Sequence, residues 1–141
     1  MRRYLFSAVV TLAMIPALPA QAQETFRTRL SPVPIDAQLA PVITGHGSVT
    51  AALSGTRLTI NGSFEGLHSA ATAAHLYQSK VTGVPGAKIH DLTVSAAITG
   101  SVSGSVDLTP AQADALRKGL LYVVVDSMGA PDGNLWGWLL K

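Results

Sequence analysis

The chain has 141 residues, no cysteine, 48% apolar and 13% charged side chains, and ten Lys/Arg against eight Asp/Glu. This length accommodates one ordinary domain, and the low charge combined with many apolar residues argues against a disordered chain. Two of the basic residues, Arg2 and Arg3, lie in a segment that we expect to be removed, so the remaining charges balance and nucleic-acid binding through phosphate neutralisation is disfavoured.

The first 22 residues have the organisation of a secretory signal peptide. Arg2 and Arg3 form a positive n-region, Tyr4–Leu18 is an apolar h-region, and Ala20–Ala22 is an A-x-A cleavage site. One alternative is a retained membrane anchor, but the apolar run is shorter than the ~20 residues of a membrane span. Another is a twin-arginine signal, most of whose pattern is missing. We expect export to the periplasm or the extracellular space, with Gln23 as the new N-terminus and no transmembrane segment after cleavage.

Residues 23–141 are expected to form a single all-β domain, a sandwich or barrel. Short stretches with period-two alternation lie between clusters of Gly, Ser, Asn and Pro, which is typical of this fold class. The clearest pair is a hairpin around the turn Ser54-Gly55-Thr56, and in a later strand His75 and Tyr77 share one face. A Pro-rich stretch, 31–34, is not expected in a central strand. The predicted strands are 26–30, 49–53, 58–64, 73–78, 89–94, 98–108, 120–125 and 134–140.

One short helix, about 109–118, is predicted between the strands. Thr109 is a good N-cap, Pro110 suits the first helical position, and Gln112 completes an S/T-x-x-Q capping box. Gly119 is the expected residue just after the helix, where a left-handed conformation ends it.

The chain ends in a second predicted hairpin. Leu120–Val125 is a nearly continuous apolar run rich in β-branched residues, typical of a central buried strand, and Ser127–Gly133 is expected to turn the chain. In the strand that follows, Trp136 and Trp138 share one face. These indoles either pack in the core or, if that face is outward, form a binding surface to which Tyr77 contributes.

Three parts of the chain, taken in order, resemble the chordin-type (CHRD) domain. The family's A-H-I-H strand is similar to A-A-H-L-Y here, and its Y-V-N-V-H-T … P-x-G-E-I-R-G-Q-L is similar to the end of this chain. The resemblance implies a Greek-key, immunoglobulin-like β-sandwich or barrel, distantly similar to copper/zinc superoxide dismutase. The family occurs in animal chordins and in exported bacterial proteins, and it implies no established activity. The first part is 49–67 and the second is 73–77. The third comprises 108–112, 119–126 and 131–139, and all three lie within 25–140.

Several polar positions of the family pattern differ in this chain. The second His of A-H-I-H is Tyr77, and the His and Asn of Y-V-N-V-H-T are Asp126 and Val124. The Glu and Arg of G-E-I-R-G are Asn134 and Trp136. If other members of the family use those histidines for a metal, this chain retains only the first of them.

The four histidines of the chain are candidate metal ligands. Zinc or copper needs three or four N, O or S donors around one point, and H-x-H on a strand would present two of them. Here that spacing gives His75-x-Tyr77, with one good ligand, to which Asp126 would add a carboxylate. The simpler interpretation is a strand histidine that hydrogen-bonds a carbonyl or Asp126. The four histidines are His46, His68, His75 and His90.

No motif predicts catalytic residues or an organic cofactor. The chain lacks Cys, G-x-S-x-G and a P-loop, and its carboxylates fall mostly in turns. The sequence therefore predicts an exported, non-enzymatic CHRD-type β-sandwich that binds an unknown protein or small ligand. The alternative is a metal-binding or metal-dependent redox protein on a superoxide-dismutase-like barrel, with Cu or Zn at His75 and Asp126.

Overall fold

The computed structural model describes residues 15, 22–34 and 37–141. The expected signal peptide lies outside these residues, except for positions 15 and 22. Within the described ranges, no helix is long and apolar enough to cross a bilayer.

In the described ranges, eight strands and one short helix form an all-β structure, as the sequence predicts. Their bounds are β1 Gln23–Pro32, β2 His46–Ser54, β3 Arg57–Glu65, β4 Ala71–Gln78, β5 Ala87–Val94, β6 Gly100–Asp107, α1 Pro110–Arg117, β7 Leu121–Ser127 and β8 Ala130–Trp138. The strands pair antiparallel and close into a barrel in the spatial order β1-β2-β3-β6-β5-β4-β7-β8. Strands β4, β5 and β6 are consecutive neighbours, and β7 returns to lie beside β4. This arrangement is a Greek key.

The barrel interior is filled by alternate residues of the strands. In β3, for example, Leu58, Ile60 and Phe64 are buried, whereas Thr59 and Asn61 face solvent. Since the chain has no cysteine, this packed core and the strand ladders hold the barrel closed. The largest fully buried side chains are Phe26, Leu30, Val49, Leu53, Leu58, Ile60, Phe64, Leu76, Leu116, Leu121, Leu135 and Leu139.

The predicted helix and its capping box are confirmed. The Thr109 hydroxyl accepts from the backbone N–H of Gln112 at 3.1 Å, and the Gln112 side chain accepts from the backbone N–H of Thr109 at 3.0 Å. Gly119 follows the helix with φ +73°, the left-handed conformation that glycine adopts most easily. Leu116 anchors the helix in the barrel core.

The final hairpin is tighter than the sequence predicts. The predicted turn residues 131–133 belong to β8, because Ser127 pairs with Ala130 and leaves only two residues to turn the chain. Pro131 is tolerated there since pairing of β8 with β1 begins further along, at Leu135 opposite Pro32. Pro32 is correspondingly the last residue of β1.

Candidate functional site

Four aromatic side chains cluster on the outer surface of the barrel, where β4, β7 and β8 are neighbours. The strand register places Tyr77 opposite Tyr122, and Tyr122 opposite Trp138. The ring centroids of Tyr77 and Tyr122 are 5.2 Å apart with nearly parallel planes, and those of Tyr122 and Trp138 are 4.4 Å apart. Trp136 meets the rings of Tyr122 and Trp138 edge-on, at 6.0 and 5.9 Å. We call these four residues the aromatic face.

The packing of the aromatic face explains why β7 is buried on both sides. Tyr122 is only 3% exposed although it lies on the outer side of the barrel, because the other three rings cover it. Tyr77, Trp136 and Trp138 remain partly exposed. Aromatic pairs of this kind stabilise by about 0.5–1.5 kcal/mol each beyond the area they bury. The outer surface of this sheet is therefore an ordered aromatic layer whose rings still reach solvent.

An open groove of about 480 Å³ runs beside the aromatic face. Tyr77, Tyr122 and Trp136 line it together with Asp132, and the loop that joins β4 to β5 forms its opposite side. The Tyr122 hydroxyl accepts a hydrogen bond of 2.8 Å from the backbone N–H of Gly86, so the loop is fixed to the ring that it faces. The volume is in the range of small-ligand sites in proteins, roughly 300–1,000 Å³.

His75 lies next to the aromatic face, between two carboxylates on neighbouring strands. Its Nδ1 is 2.8 Å from Asp91 on β5, and its Nε2 is 3.1 Å from Asp126 on β7. A neutral imidazole has one donor nitrogen and one acceptor nitrogen, whereas an ionised carboxylate only accepts. Both contacts are attractive only if His75 is doubly protonated or if one carboxyl group keeps its proton. One added proton, on the imidazole or on a carboxyl group, makes both contacts attractive.

The two aspartates of this cluster differ in environment. The side chain of Asp126 is 10% exposed, and burial raises its pKa, while the charge of His75 and its hydrogen bond oppose that rise. Asp91 is exposed, and two hydrogen bonds lower its pKa. The larger effect comes from Lys88 at 2.9 Å, and the smaller one comes from His75. Of the two carboxyl groups, Asp126 is therefore the one with the raised pKa.

The structure brings His75 and Asp126 together, but it does not build a metal site around them. The two ring nitrogens point in opposite directions, so Asp91 and Asp126 lie at opposite edges of the imidazole and do not converge on one point with it. Zinc and copper sites need three or four donors that do converge. In the part of the chain that the structure describes, no group of three or more His, Cys, Asp or Glu side chains is arranged to hold a metal ion.

The other three histidines lie elsewhere. His46 begins β2 and pairs with Glu65 at 2.7 Å on the exposed surface of the opposite sheet. His68 is exposed in the connection after β3, and His90 is half-buried in β5. The four histidines do not form a common site.

Sequence reasoning missed two residues of this region, Asp91 and Tyr122. Asp91 meets His75 only through the register of β4 with β5, which shifts at a bulge between Leu76 and Tyr77 and leaves no local signal. Tyr122 had a signal, because it alternates with Val124 on the side of β7 that carries Asp126.

The comparisons with known proteins identify the family of this barrel. The family model of the CHRD domain matches residues 26–139, from within β1 to just beyond the end of β8. Comparison with curated proteins and with solved structures gave no match. The family match covers most of the chain and includes the strands that carry the aromatic face and His75. The chain therefore belongs to the CHRD domain family.

Proposed function

We propose that the protein is an exported, non-enzymatic binding module whose ligand lies against the aromatic face. The observation that carries the proposal is the position of Tyr77, Trp136 and Trp138, which are partly exposed on the outside of the barrel beside an open groove. Large aromatic side chains are usually buried, and exposed clusters of them mark recognition surfaces.

The contrast with the opposite sheet supports this assignment. The outward residues at the centre of β2, β3 and β6 are short and polar, such as Thr50, Asn61 and Ser103. The outward residues at the centre of β7 and β8 are instead aromatic or apolar. Asp126 and Asp132 lie at the end of these strands nearest their connecting turn. A surface that needed only to be soluble would resemble the first sheet.

The state of His75 supports a binding role rather than a catalytic one. A histidine that activates a nucleophile needs one nitrogen free to accept its proton. Both nitrogens of His75 face carboxylates, at 2.8 and 3.1 Å. In this arrangement the imidazole links β4 to β5 and β7, and neither of its nitrogens is available to a substrate.

Export is supported by the leader-like composition of the first 22 residues. Expression of the full chain in a Gram-negative host tests it. We expect the protein outside the cytoplasm with Gln23 at its N-terminus. An uncleaved chain that stays in the cytoplasm would refute this part of the proposal.

A fragment screen by NMR tests the binding site without assuming a ligand. Isotope-labelled protein is titrated with a library of neutral, cationic, anionic and sugar fragments, and with Zn²⁺ and Cu²⁺. We expect the fragment-induced shifts to concentrate on the indole N–H of Trp136 and on the loop around Gly86, and Trp136→Ala to remove them. Thr59→Ala, on the opposite sheet, is the matched control and should leave them unchanged.

Two outcomes would contradict the proposal. One is a set of fragment hits that avoids the groove altogether. The other is tight binding of Zn²⁺ or Cu²⁺ that is lost in His75→Ala, which would favour a metal-dependent protein instead.

A further inference from the structure

Among the carboxylates that the structure describes, Asp132, which lines the groove, is the one without a basic partner. Of the seven Asp and Glu side chains in the described ranges, the other six each have a Lys, Arg or His within 4.0 Å. Asp132 is exposed and has no such partner among the described residues. A negative charge on the edge of an aromatic groove is thus left available to a ligand.

The neighbouring charges strengthen the negative character of this end of the groove. Asp126 interacts with both Asp132 and Tyr77, and Asp91 also acts on Tyr77. Against these three carboxylates stand Lys88, which is engaged with Asp91 at 2.9 Å, and the imidazole between Asp91 and Asp126. With Asp91 and Asp132 ionised and Lys88 charged, the sum over these described residues stays negative whether the imidazole or Asp126 holds an added proton.

The remaining lining of the groove favours a cation that carries carbon. Tyrosine and tryptophan rings present a negative face that attracts ammonium groups within about 6 Å. Val33, Pro34 and Pro85 supply aliphatic surface around the rings. A hydrated metal ion or a bare ammonium ion would leave that apolar surface unused, whereas methyl or methylene groups bound to nitrogen would cover it.

The same lining disfavours a neutral sugar. Sugar hydroxyls need several side-chain donors and acceptors around the aromatic platform, because a buried hydroxyl without a partner is costly. No Asn, Gln, Arg, Lys, Ser or Thr of the described chain lines this groove, and the Tyr122 hydroxyl is already bonded to Gly86. Asp132 and the polar edges of Tyr77 and Trp136 are the side-chain groups that remain.

We infer that the groove binds an organic cation, an ammonium group with alkyl substituents, held between the aromatic rings and Asp132. This inference rests on the proposed function, because it names the ligand class of the same site. The ammonium group occurs both in free quaternary ammonium compounds and in the side chain of lysine, and the groove chemistry is shared by the two.

The test compares choline with its uncharged analogue of the same shape, 3,3-dimethyl-1-butanol, by NMR titration of the indole N–H signals. We expect choline to bind at least about tenfold more tightly, since cation–π attraction and a carboxylate both act on the charged compound only. Added salt should weaken choline binding and leave the alcohol unaffected. Nα-acetyl-lysine N-methylamide is the third probe. Binding stronger than that of choline indicates a lysine side chain as the source of the ammonium group, and weaker binding indicates a free quaternary ammonium compound. Either result supports an organic cation as the ligand.

Two variants assign the effect to the groove. Asp132→Asn should weaken choline binding and leave only the smaller preference over the alcohol that the rings provide. Asp107→Asn, an exposed aspartate of β6 paired with Arg57, should not change choline binding. Circular dichroism of each variant confirms that it is folded. Loss of the choline preference in the Asp107 variant alone would overturn the inference.

The outcomes separate this inference from the proposed function. Equal affinity for choline and the alcohol, or preferential binding of methyl β-glucoside at the same rings, would overturn the cation and leave the aromatic face as the site. Absence of any probe-induced shift at Trp136, Trp138 and Tyr77 would overturn both.

Discussion

His75 and Asp126 form a contact whose energetic role differs from that of an exposed ion pair. The side chains of His75 and Asp126 are 18% and 10% exposed, compared with 61% and 62% for His46 and Glu65. Removing one partner of a shielded pair leaves the other with its desolvation cost uncompensated, whereas exposed pairs contribute little.

We therefore expect His75→Ala to lower the free energy of unfolding by about 1–3 kcal/mol. The matched change His46→Ala should alter it by less than about 0.5 kcal/mol. Urea unfolding at pH 7 measures both variants. Equal losses in the two variants would show that the carboxylates around His75 do not stabilise the fold.

The raised pKa of Asp126 predicts how the stability of the protein depends on pH. Burial raises this pKa above its ordinary value of 3.8. A carboxyl group whose pKa is higher in the folded than in the unfolded state favours folding when protonated, and that contribution is lost as the pH rises from 3.8 through the folded value. Asp126→Asn cannot ionise, so its stability relative to the wild type should increase between pH 3 and pH 7.

Urea unfolding of the wild type and Asp126→Asn at pH 3, 5 and 7 measures this difference. Asp107→Asn is the control for an exposed aspartate in an ion pair with Arg57. A stability difference between wild type and Asp126→Asn that stays constant over this range would contradict the raised pKa of Asp126.

At the residue scale, the sequence predicted which side chains share a face and not which strands lie beside them. Alternation alone places His75 and Tyr77 on one face of their strand, and it places Trp136 and Trp138 on one face of theirs. It left open whether the indoles pack inward or outward, because period-two alternation assigns two faces and does not name the buried one. Packing in the structure decides this, since Leu135 and Leu139 are fully buried in the barrel.

Among the elements, α1 is the one whose local sequence specified it best. The capping interactions between Thr109 and Gln112 involve residues three apart, so they depend on no distant part of the chain. Thr109→Ala should lower the free energy of unfolding by about 1 kcal/mol. Thr109→Ser should keep most of the stabilisation that the N-cap provides, because serine also caps helices. Thermal unfolding followed by circular dichroism measures both, and an alanine variant as stable as the wild type would show that the cap is dispensable.

The contact between β1 and β8 depends on a glycine that the sequence pattern did not single out. A Cβ at Gly137 would lie 2.8 Å from the carbonyl oxygen of Arg29 and 2.6–2.7 Å from the side chain of Thr28. Backbone atoms in the closing strand pair cannot move aside as a flexible side chain can, so the bare backbone is required there.

We expect Gly137→Ala to destabilise the barrel by about 1–3 kcal/mol, as overpacking does in cores. Gly129→Ala, whose nearest neighbour is the Ser69 hydroxyl at 3.2 Å, should cost less. Urea unfolding measures both. Equal costs would mean that β1 and β8 have room to separate.

For the whole molecule, the sequence predicted the number and type of elements, but their spatial order required non-local information. Period-two patterns yielded eight strands, and composition indicated that Leu120–Val125 is central. In the barrel, β3 lies beside β6 and β4 lies beside β7, although the strands of each pair are distant along the chain. Resemblance to the CHRD domain supplied the Greek-key expectation, because local alternation carries no information on which strands pair.

The start of β8 shows the same limit on a smaller scale. Pro, Asp and Gly at 131–133 are typical turn residues, yet they continue the strand. Strand pairing with β7 fixes the turn at Met128 and Gly129, and this tertiary constraint overrides the local preference. The extension of β8 is what brings Asp132 to the groove beside Trp136.

Tryptophan quenching most directly tests the claim that the aromatic face lies outside the barrel, beside the Asp132 carboxylate, which has no basic partner among the described residues. The chain has two tryptophans, both in the aromatic face, so the fluorescence of the folded protein reports on this surface alone. We predict that acrylamide quenches the native emission, and that Cs⁺ quenches it more strongly than I⁻ at equal ionic strength. Native emission that none of these quenchers reaches, or stronger quenching by I⁻ than by Cs⁺, would contradict the claim.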